Sequence, residues 1–89
     1  MTVKIHSMQT PAGNTSRNQY ILSDRNGDTF VSYGTNIARR KLGVIYLDET
    51  YWDYSATTGR YRNQFLGEGI NDTRKGIKSG RYTLTNLNK

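Results

Sequence analysis

Few side chains in this sequence are equipped for covalent or metal chemistry. His6 is the only histidine and there is no cysteine, so a nucleophilic triad and a zinc site both lack their parts. No serine stands in a Gly-x-Ser-x-Gly setting, and His6, beside Val3 and Ile5 in an alternating run, reads as a surface strand residue. The acids Asp48, Glu49 and Asp53 gather around Tyr51, Trp52 and Tyr54 in the run LDETYWDY. Two carboxylates beside an aromatic surface suit a glycosidase or a magnesium-dependent nuclease. The simpler reading is a loop leaving a central strand, its aromatics covering the edge of a thin core and its acids facing water. Asp24, Asn26 and Asp28 echo a calcium loop, but the ligand spacing differs and no glutamate closes it. Gly67-Glu68-Gly69 lacks the third glycine and the preceding strand of a nucleotide fingerprint. The expectation is a protein that is not an enzyme, with no cofactor and no metal.

What remains is a basic and aromatic constellation. Arg60-Tyr61-Arg62 sets a tyrosine between two guanidinium groups, and Arg74, Lys75, Lys78 and Arg81 follow, with Tyr82 after them. Arginine offers a planar donor fork to phosphate or carboxylate, and tyrosine can stack on a base or fill a partner's pocket. Tyr61, four residues before Phe65, fits a core position better than a binding surface; Arg60 and Arg62 are expected to be exposed in either case. The charge distribution points the same way. Residues 1–59 carry six Lys/Arg against five Asp/Glu, whereas residues 60–89 carry seven against two, so most of the net charge of +6 belongs to the last third. A field concentrated in this way favours encounter with polyanions and acidic proteins; a purely solubilising role for the charge is the plain alternative.

These side chains must be held by a small scaffold. Residues 2–8 alternate as a half-buried strand. Residues 9–18, QTPAGNTSRN, read as a flexible loop. Tyr20-Ile21-Leu22 and the strand formers from Thr29 to Tyr33 flank Asp24-Arg25-Asn26-Gly27-Asp28, and the Asn-Gly pair predicts a hairpin turn with positive φ. Residues 35–41 fit either one helical turn or an edge strand ending in the basic loop Arg39-Arg40-Lys41. Val44-Ile45-Tyr46-Leu47 reads as the central and most buried strand. Thr57 or Thr58 caps a helix over residues 59–66, with Gly67 at its end. Asp72 caps a second helix carrying Ile77 inward and ending at Gly80. Residues 81–84 alternate as a last strand, and residues 85–89 form a frayed tail. The order predicts one α+β domain over residues 1–89: a small, mostly antiparallel sheet with a β-hairpin and two short helices before the last strand. Ile45, Leu47, Phe65, Ile77 and Leu84 are its expected core.

With 89 residues, 34% hydrophobic and a mean hydropathy of −0.81, the core must be thin. The start of the chain has no cationic segment followed by a long apolar run, and no window approaches the roughly 18 apolar residues of a membrane span. Together with the missing cysteines this predicts a cytoplasmic protein without a membrane partner.

Three segments, FVSYGTNIA at residues 30–38, YWDYSATTGRYRNQFLG at 51–67 and KSGRY at 78–82, resemble a recurring group of small uncharacterised proteins encoded by tailed bacteriophages. The resemblance covers about half the chain and implies context rather than chemistry: action in the cytoplasm of an infected bacterium. Small phage proteins of this kind act by occupying a host or defence machine, RNA-guided nucleases included. The expected partner is therefore nucleic acid or an acidic host or defence nucleoprotein complex, inhibited in an anti-CRISPR-like manner and met by Arg60, Tyr61, Arg62, Arg74, Lys75, Lys78 and Arg81. The alternative is a structural or assembly protein, a homo-oligomer joined through a sheet edge.

Overall fold

The structure, a computed structural model, describes residues 3–89. Its elements follow in the order β1 (Lys4–Gln9), β2 (Thr15–Asp24), β3 (Gly27–Ser32), β4 (Thr35–Lys41), β5 (Val44–Asp48), α1 (Ala56–Leu66), α2 (Ile70–Ser79) and β6 (Tyr82–Thr85). One six-stranded sheet holds the strands in sequence order. β1 to β5 form an antiparallel meander, and β6 joins β5 in parallel after the chain has crossed through both helices. This is the expected α+β class with a hairpin and two helices before the last strand. The smallest dimension, 21 Å, is that of one helix layer on one sheet, so a single sheet face is covered.

Three tight turns set the meander. The β2–β3 turn sits where Asn26-Gly27 predicts one, but for a different reason: neither residue has positive φ. Asp24 Oδ1 accepts the N–H groups of Asn26 (2.8 Å) and Gly27 (3.0 Å), which holds Arg25-Asn26 as the two-residue loop. Gly27 is needed for a close approach instead, since a Cβ there would stand 1.8 Å from the carbonyl oxygen of Arg40. Positive φ appears in the next two turns, Tyr33-Gly34 (51° and 77°) and Leu42-Gly43 (50° and 80°), the pattern of two-residue loops whose twist suits antiparallel strands.

Those two turns decide residues 35–41. They form an interior strand, neither helix nor edge, with Arg39 and Arg40 on opposite faces: Arg39 pairs with Asp24 at 3.2 Å, while Arg40 lies 4.7 Å over the Phe65 ring and donates to the Phe65 carbonyl. The expected loop at 9–18 is shorter than predicted. β2 already begins at Thr15, and Ser16 Oγ, buried, donates to the Met8 carbonyl at 2.6 Å. β3 is the most buried strand in place of β5, whose Val44 is 41% exposed.

The core joins Met8, Phe30, Ile37, Ala38, Leu47, Tyr61, Phe65 and Tyr82. Phe30, Ala38 and Leu47 are register partners on the face beneath α1, where Phe30 stacks on Phe65 at 5.9 Å. A bulge between Phe30 and Val31 allows Ile37 and Ala38 both to be fully buried. Ile45 and Ile77 pack at the margin of this cluster. Leu84 is not a core residue, because the short edge strand β6 leaves it 42% exposed.

The end of the chain is tied down rather than frayed. Asp48, only 1% exposed, accepts Thr50 N–H and Tyr51 N–H on Oδ2, and Leu87 N–H and Asn88 Nδ2 on Oδ1. The Asn88 side chain completes the clasp, its Oδ1 accepting the Asn36 N–H and its Nδ2 donating to the Asn36 carbonyl, while Asn36 Nδ2 donates to the Leu87 carbonyl. Burial raises the Asp48 carboxyl, but the N–H donors of Leu87, Tyr51 and Thr50 and the Asn88 amide outweigh it and leave the group below the usual carboxylate range.

Candidate functional site

Both helices end where expected and begin earlier, each at a start that local chemistry dictates. α1 starts at Ala56 because Ser55, not Thr57 or Thr58, is the cap: its Oγ accepts Thr58 N–H at 3.2 Å. Thr58 instead turns its hydroxyl into the core against Ser32 Oγ, 2.9 Å away. α2 starts at Ile70, capped by the Gly69 backbone, and Asp72 falls in its first turn rather than at its cap. Gly67 and Gly80 end the helices with φ of 74° and 84°, as anticipated. α2 lies close against β6, since a Cβ on Gly76 would come within 2.8 Å of the Tyr82 ring.

The seven expected partner-binding residues separate into two groups. Tyr61 is in the core at 5% exposure, the more favoured of its two readings. Arg62 overturns its expectation, being only 2% exposed. Its Nη1 donates to the Trp52 carbonyl (2.9 Å) and to Asp53 Oδ1 (3.1 Å), and its Nη2 to Asn63 Oδ1 (3.0 Å); the guanidinium lies 5.5 Å from the Trp52 ring centre. The guanidinium packs against Gly59, where a Cβ would stand 3.4 Å from Nη2. Arg81 is half exposed yet engaged in a forked pair, Nη1 to Glu68 Oε1 at 3.0 Å and Nη2 to Glu68 Oε2 at 3.1 Å, while stacking on Tyr82 at 4.5 Å. The Arg81 hydrogen bonds hold the Glu68 carboxyl below its ordinary value, and Glu68 in turn raises Arg81. The Tyr82 hydroxyl is raised, by burial first and by Glu68 second.

Arg60, Arg74, Lys75 and Lys78 remain on the outer side of the helical layer, all exposed. Arg74 makes only a long contact with Asp53, 3.7 Å. Arg60, Lys75 and Lys78 form no ion pair among the described residues. On α2 the three cations fall at positions 74, 75 and 78, one side of the helix, while Thr73 and Gly76 face inward.

The carboxylates of LDETYWDY are dispersed. Asp48 is committed to its four donors, Asp53 to Arg62 and Arg74, and Glu49 is exposed. No group of three or more His, Cys, Asp or Glu gathers in metal-binding reach among the described residues, and no helix among them is long and apolar enough to cross a membrane.

One surface escaped sequence reading. On the face away from the helices, Ile5, Leu22, Thr29, Arg39, Tyr46 and Thr83 form a single cross-strand row. Ile5 is 67% exposed, with Val3 and Val44 also open. An open antiparallel face ordinarily carries polar residues at these positions. The alternation of Ile5 and Leu22 was the available signal, but it does not say which face the helices will cover.

No curated protein and no solved structure matches this chain. Its match to a family extends over residues 3–83, nearly the whole domain and all of the helical layer, and on that ground the chain belongs to DUF8033, a family of unknown function.

Proposed function

We propose that the protein is a small phage-type accessory protein, a non-catalytic binding module that sets the outer side of its helical layer against an acidic partner, nucleic acid or a host or defence nucleoprotein complex, in the cytoplasm of an infected cell. Inhibition would be steric, in the manner of an anti-CRISPR protein. The observation that carries the reading is the set Arg60, Arg74, Lys75 and Lys78, all exposed on the two helices, where two nearby acids are already engaged, Asp53 by Arg62 and Glu68 by Arg81, and Asp72 in the first turn of α2 is the acid left without an ion pair among the described residues. Uncommitted cations on one face supply the electrostatic footprint of a polyanion binder. Arg62 and Arg81 serve this surface by neutralising its acids rather than by touching the partner.

The test is fluorescence anisotropy with labelled single-stranded and duplex oligonucleotides over a salt series. If all four cations meet phosphates of a duplex, log K falls with log salt at a slope of about −3 to −4. Lys75→Glu with Lys78→Glu should abolish retention without unfolding, whereas Lys4→Glu with Arg25→Glu should leave most of it. Absence of binding at low salt by a folded protein would exclude direct nucleic-acid contact and leave an acidic protein as the partner.

A second reading, self-association, is favoured by the exposed apolar side chains Val3, Ile5 and Val44 on the sheet face away from the helices. It predicts a discrete homo-oligomer in size-exclusion chromatography with light scattering, dispersed by Ile5→Lys.

A further inference from the structure

Two of the seven tyrosines stand in water, Tyr33 at 57% exposure and Tyr54 at 63%. Both belong to the same end of the molecule. Ser32, beside Tyr33, sets its Oγ 2.9 Å from Thr58 Oγ1, and the Thr58 N–H donates to Ser55 Oγ, beside Tyr54. The β3–β4 turn and the start of α1 thus bring the two tyrosines to one corner of the fold. Exposed aromatics scattered singly need no explanation, but three features set this pair apart. Tyr33 holds a positive φ of 51°, which Gly, Asn or Asp adopts at less cost, and a ring left largely in water does little to offset that strain. Tyr54 is braced: its ring meets Tyr51 edge to face at 5.5 Å, and Tyr51 packs on the core, so the exposed ring is presented in an ordered position. An arginine accompanies each tyrosine. Arg17 adjoins Asn18, whose carbonyl accepts the Tyr33 N–H at 2.8 Å, and Arg60 shares a cleft wall with Asp53 and Ser55, the residues on either side of Tyr54. Both arginines are exposed and in no ion pair among the described residues. The acids at this end are Asp53, held by Arg62 and Arg74, and the exposed Glu49.

We propose that Tyr33 and Tyr54 form a stacking platform for two bases of a single-stranded nucleic acid, with Arg17 and Arg60 meeting the phosphates beside them. Every base has an aromatic face, so such a platform is indifferent to sequence. In a duplex those faces are covered by neighbouring bases, and the platform is left unused. The assignment rests on the proposed polyanion-binding role and narrows its nucleic-acid partner to the unpaired form. Lys4 and Arg25 have no part in it, since they lie beside Ser23 and Asp24 at the far end of the strands.

Three labelled probes test the platform by fluorescence anisotropy: an oligothymidylate, a duplex of the same length, and a single strand of the same length whose sugar-phosphate chain lacks bases. The oligothymidylate should bind at least about tenfold more tightly than the abasic strand, which carries the same charge. Tyr33→Asn, which suits positive φ, should melt no lower than the parent. Tyr33→Asn and Tyr54→Ser should each weaken oligothymidylate binding by about fivefold to a hundredfold, with no change in the salt slope and none in duplex binding. Tyr33→Phe and Tyr54→Phe keep the ring and should keep the affinity. Arg60→Gln should instead make the salt slope shallower by about 0.7, one single-strand phosphate. Equal affinity for the abasic strand, or oligothymidylate binding indifferent to both Tyr33→Asn and Tyr54→Ser, refutes the platform and leaves the cationic helical face standing. Base-dependent binding that is lost in Tyr33→Asn and Tyr54→Ser but unmoved by Lys75→Glu with Lys78→Glu supports the platform and overturns that face. No oligonucleotide binding at low salt by the folded protein overturns the platform and leaves the helical face to an acidic protein.

Discussion

Replacing Asp48 by asparagine should uncouple the end of the chain from the sheet. The carboxylate divides four donors between its oxygens, Leu87 N–H (2.9 Å) and Asn88 Nδ2 (3.0 Å) on Oδ1, Thr50 N–H (3.1 Å) and Tyr51 N–H (2.8 Å) on Oδ2. Asparagine keeps one acceptor and turns an NH2 toward the other two donors. Two donors in a site this buried then lose their partner at about 1–3 kcal/mol each, so Asp48→Asn is expected to destabilise by about 2–6 kcal/mol. That is comparable with the entire stability of about 5 kcal/mol at the lower end for a small domain. Urea denaturation gives the free energy, and amide hydrogen exchange shows which pair has been orphaned: loss of protection at Leu87 if the tail is released, at Tyr51 if the 49–51 turn opens. Asn88→Ala, which removes only one of the four donors and the link to Asn36, should be milder. A midpoint within about 0.5 kcal/mol of the parent for Asp48→Asn would refute the argument that this one carboxylate organises both segments.

Gly27→Ala should lose about 1–3 kcal/mol or more, because its Cβ meets the backbone of β4 and cannot be relieved by a side-chain shift; Gly43→Ala, with φ of 80° and open space around it, should lose about 1–2 kcal/mol. Urea midpoints measure both, and a tolerated Gly27→Ala would contradict the close approach. Gln19, 1% exposed with neither amide atom partnered, should gain from Gln19→Met by about 1–3 kcal/mol; a lower melting temperature in the variant would mean that the amide is satisfied. Acid should destabilise the fold in a defined window. Asp24, held down first by the Asn26 N–H, Glu68, held down first by Arg81, and Asp48 all have depressed folded-state values. Their stabilisation is therefore complete above the unfolded-state values of about 3.9–4.3 and is lost as pH falls through the lower folded-state values. Thermal melts should be flat from about pH 7 to 5 and fall below about pH 4, less steeply in Asp48→Asn; a decline beginning near neutrality would assign the effect to other groups.

Secondary structure was legible wherever its cause is local. The β2–β3 hairpin, β5, the two glycine-terminated helices and the final strand all follow from strand formers, turn residues and caps within a few positions of one another. β4 was not, because Ile37-Ala38 followed by Arg39-Arg40-Lys41 has no clean period of two. A bulge lets Ile37 and Ala38 both bury, and Arg39 and Arg40 then point to opposite faces. The paired turns Tyr33-Gly34 and Leu42-Gly43 were the usable signal, and a tyrosine and a leucine with positive φ are unusual enough to conceal it.

The sequence alone placed the excess of cations in the last third, put Tyr61 at core spacing from Phe65, and supplied the order of elements apart from β4, since these depend on composition and on contacts along the chain. Only the tertiary structure could separate cations that look alike in sequence. Arg62 is held under the Trp52-Asp53 turn by the Trp52 carbonyl and Asp53, ten and nine residues away, and Arg81 is engaged by Glu68, thirteen residues away, while Arg60, Lys75 and Lys78 are left facing water. The Asp48 clasp likewise joins atoms 39 and 40 residues apart. Such pairings are settled by the packing of α1, α2 and β6 against the sheet, where the benefit of satisfying a buried charge outweighs any local preference of the residues that carry it.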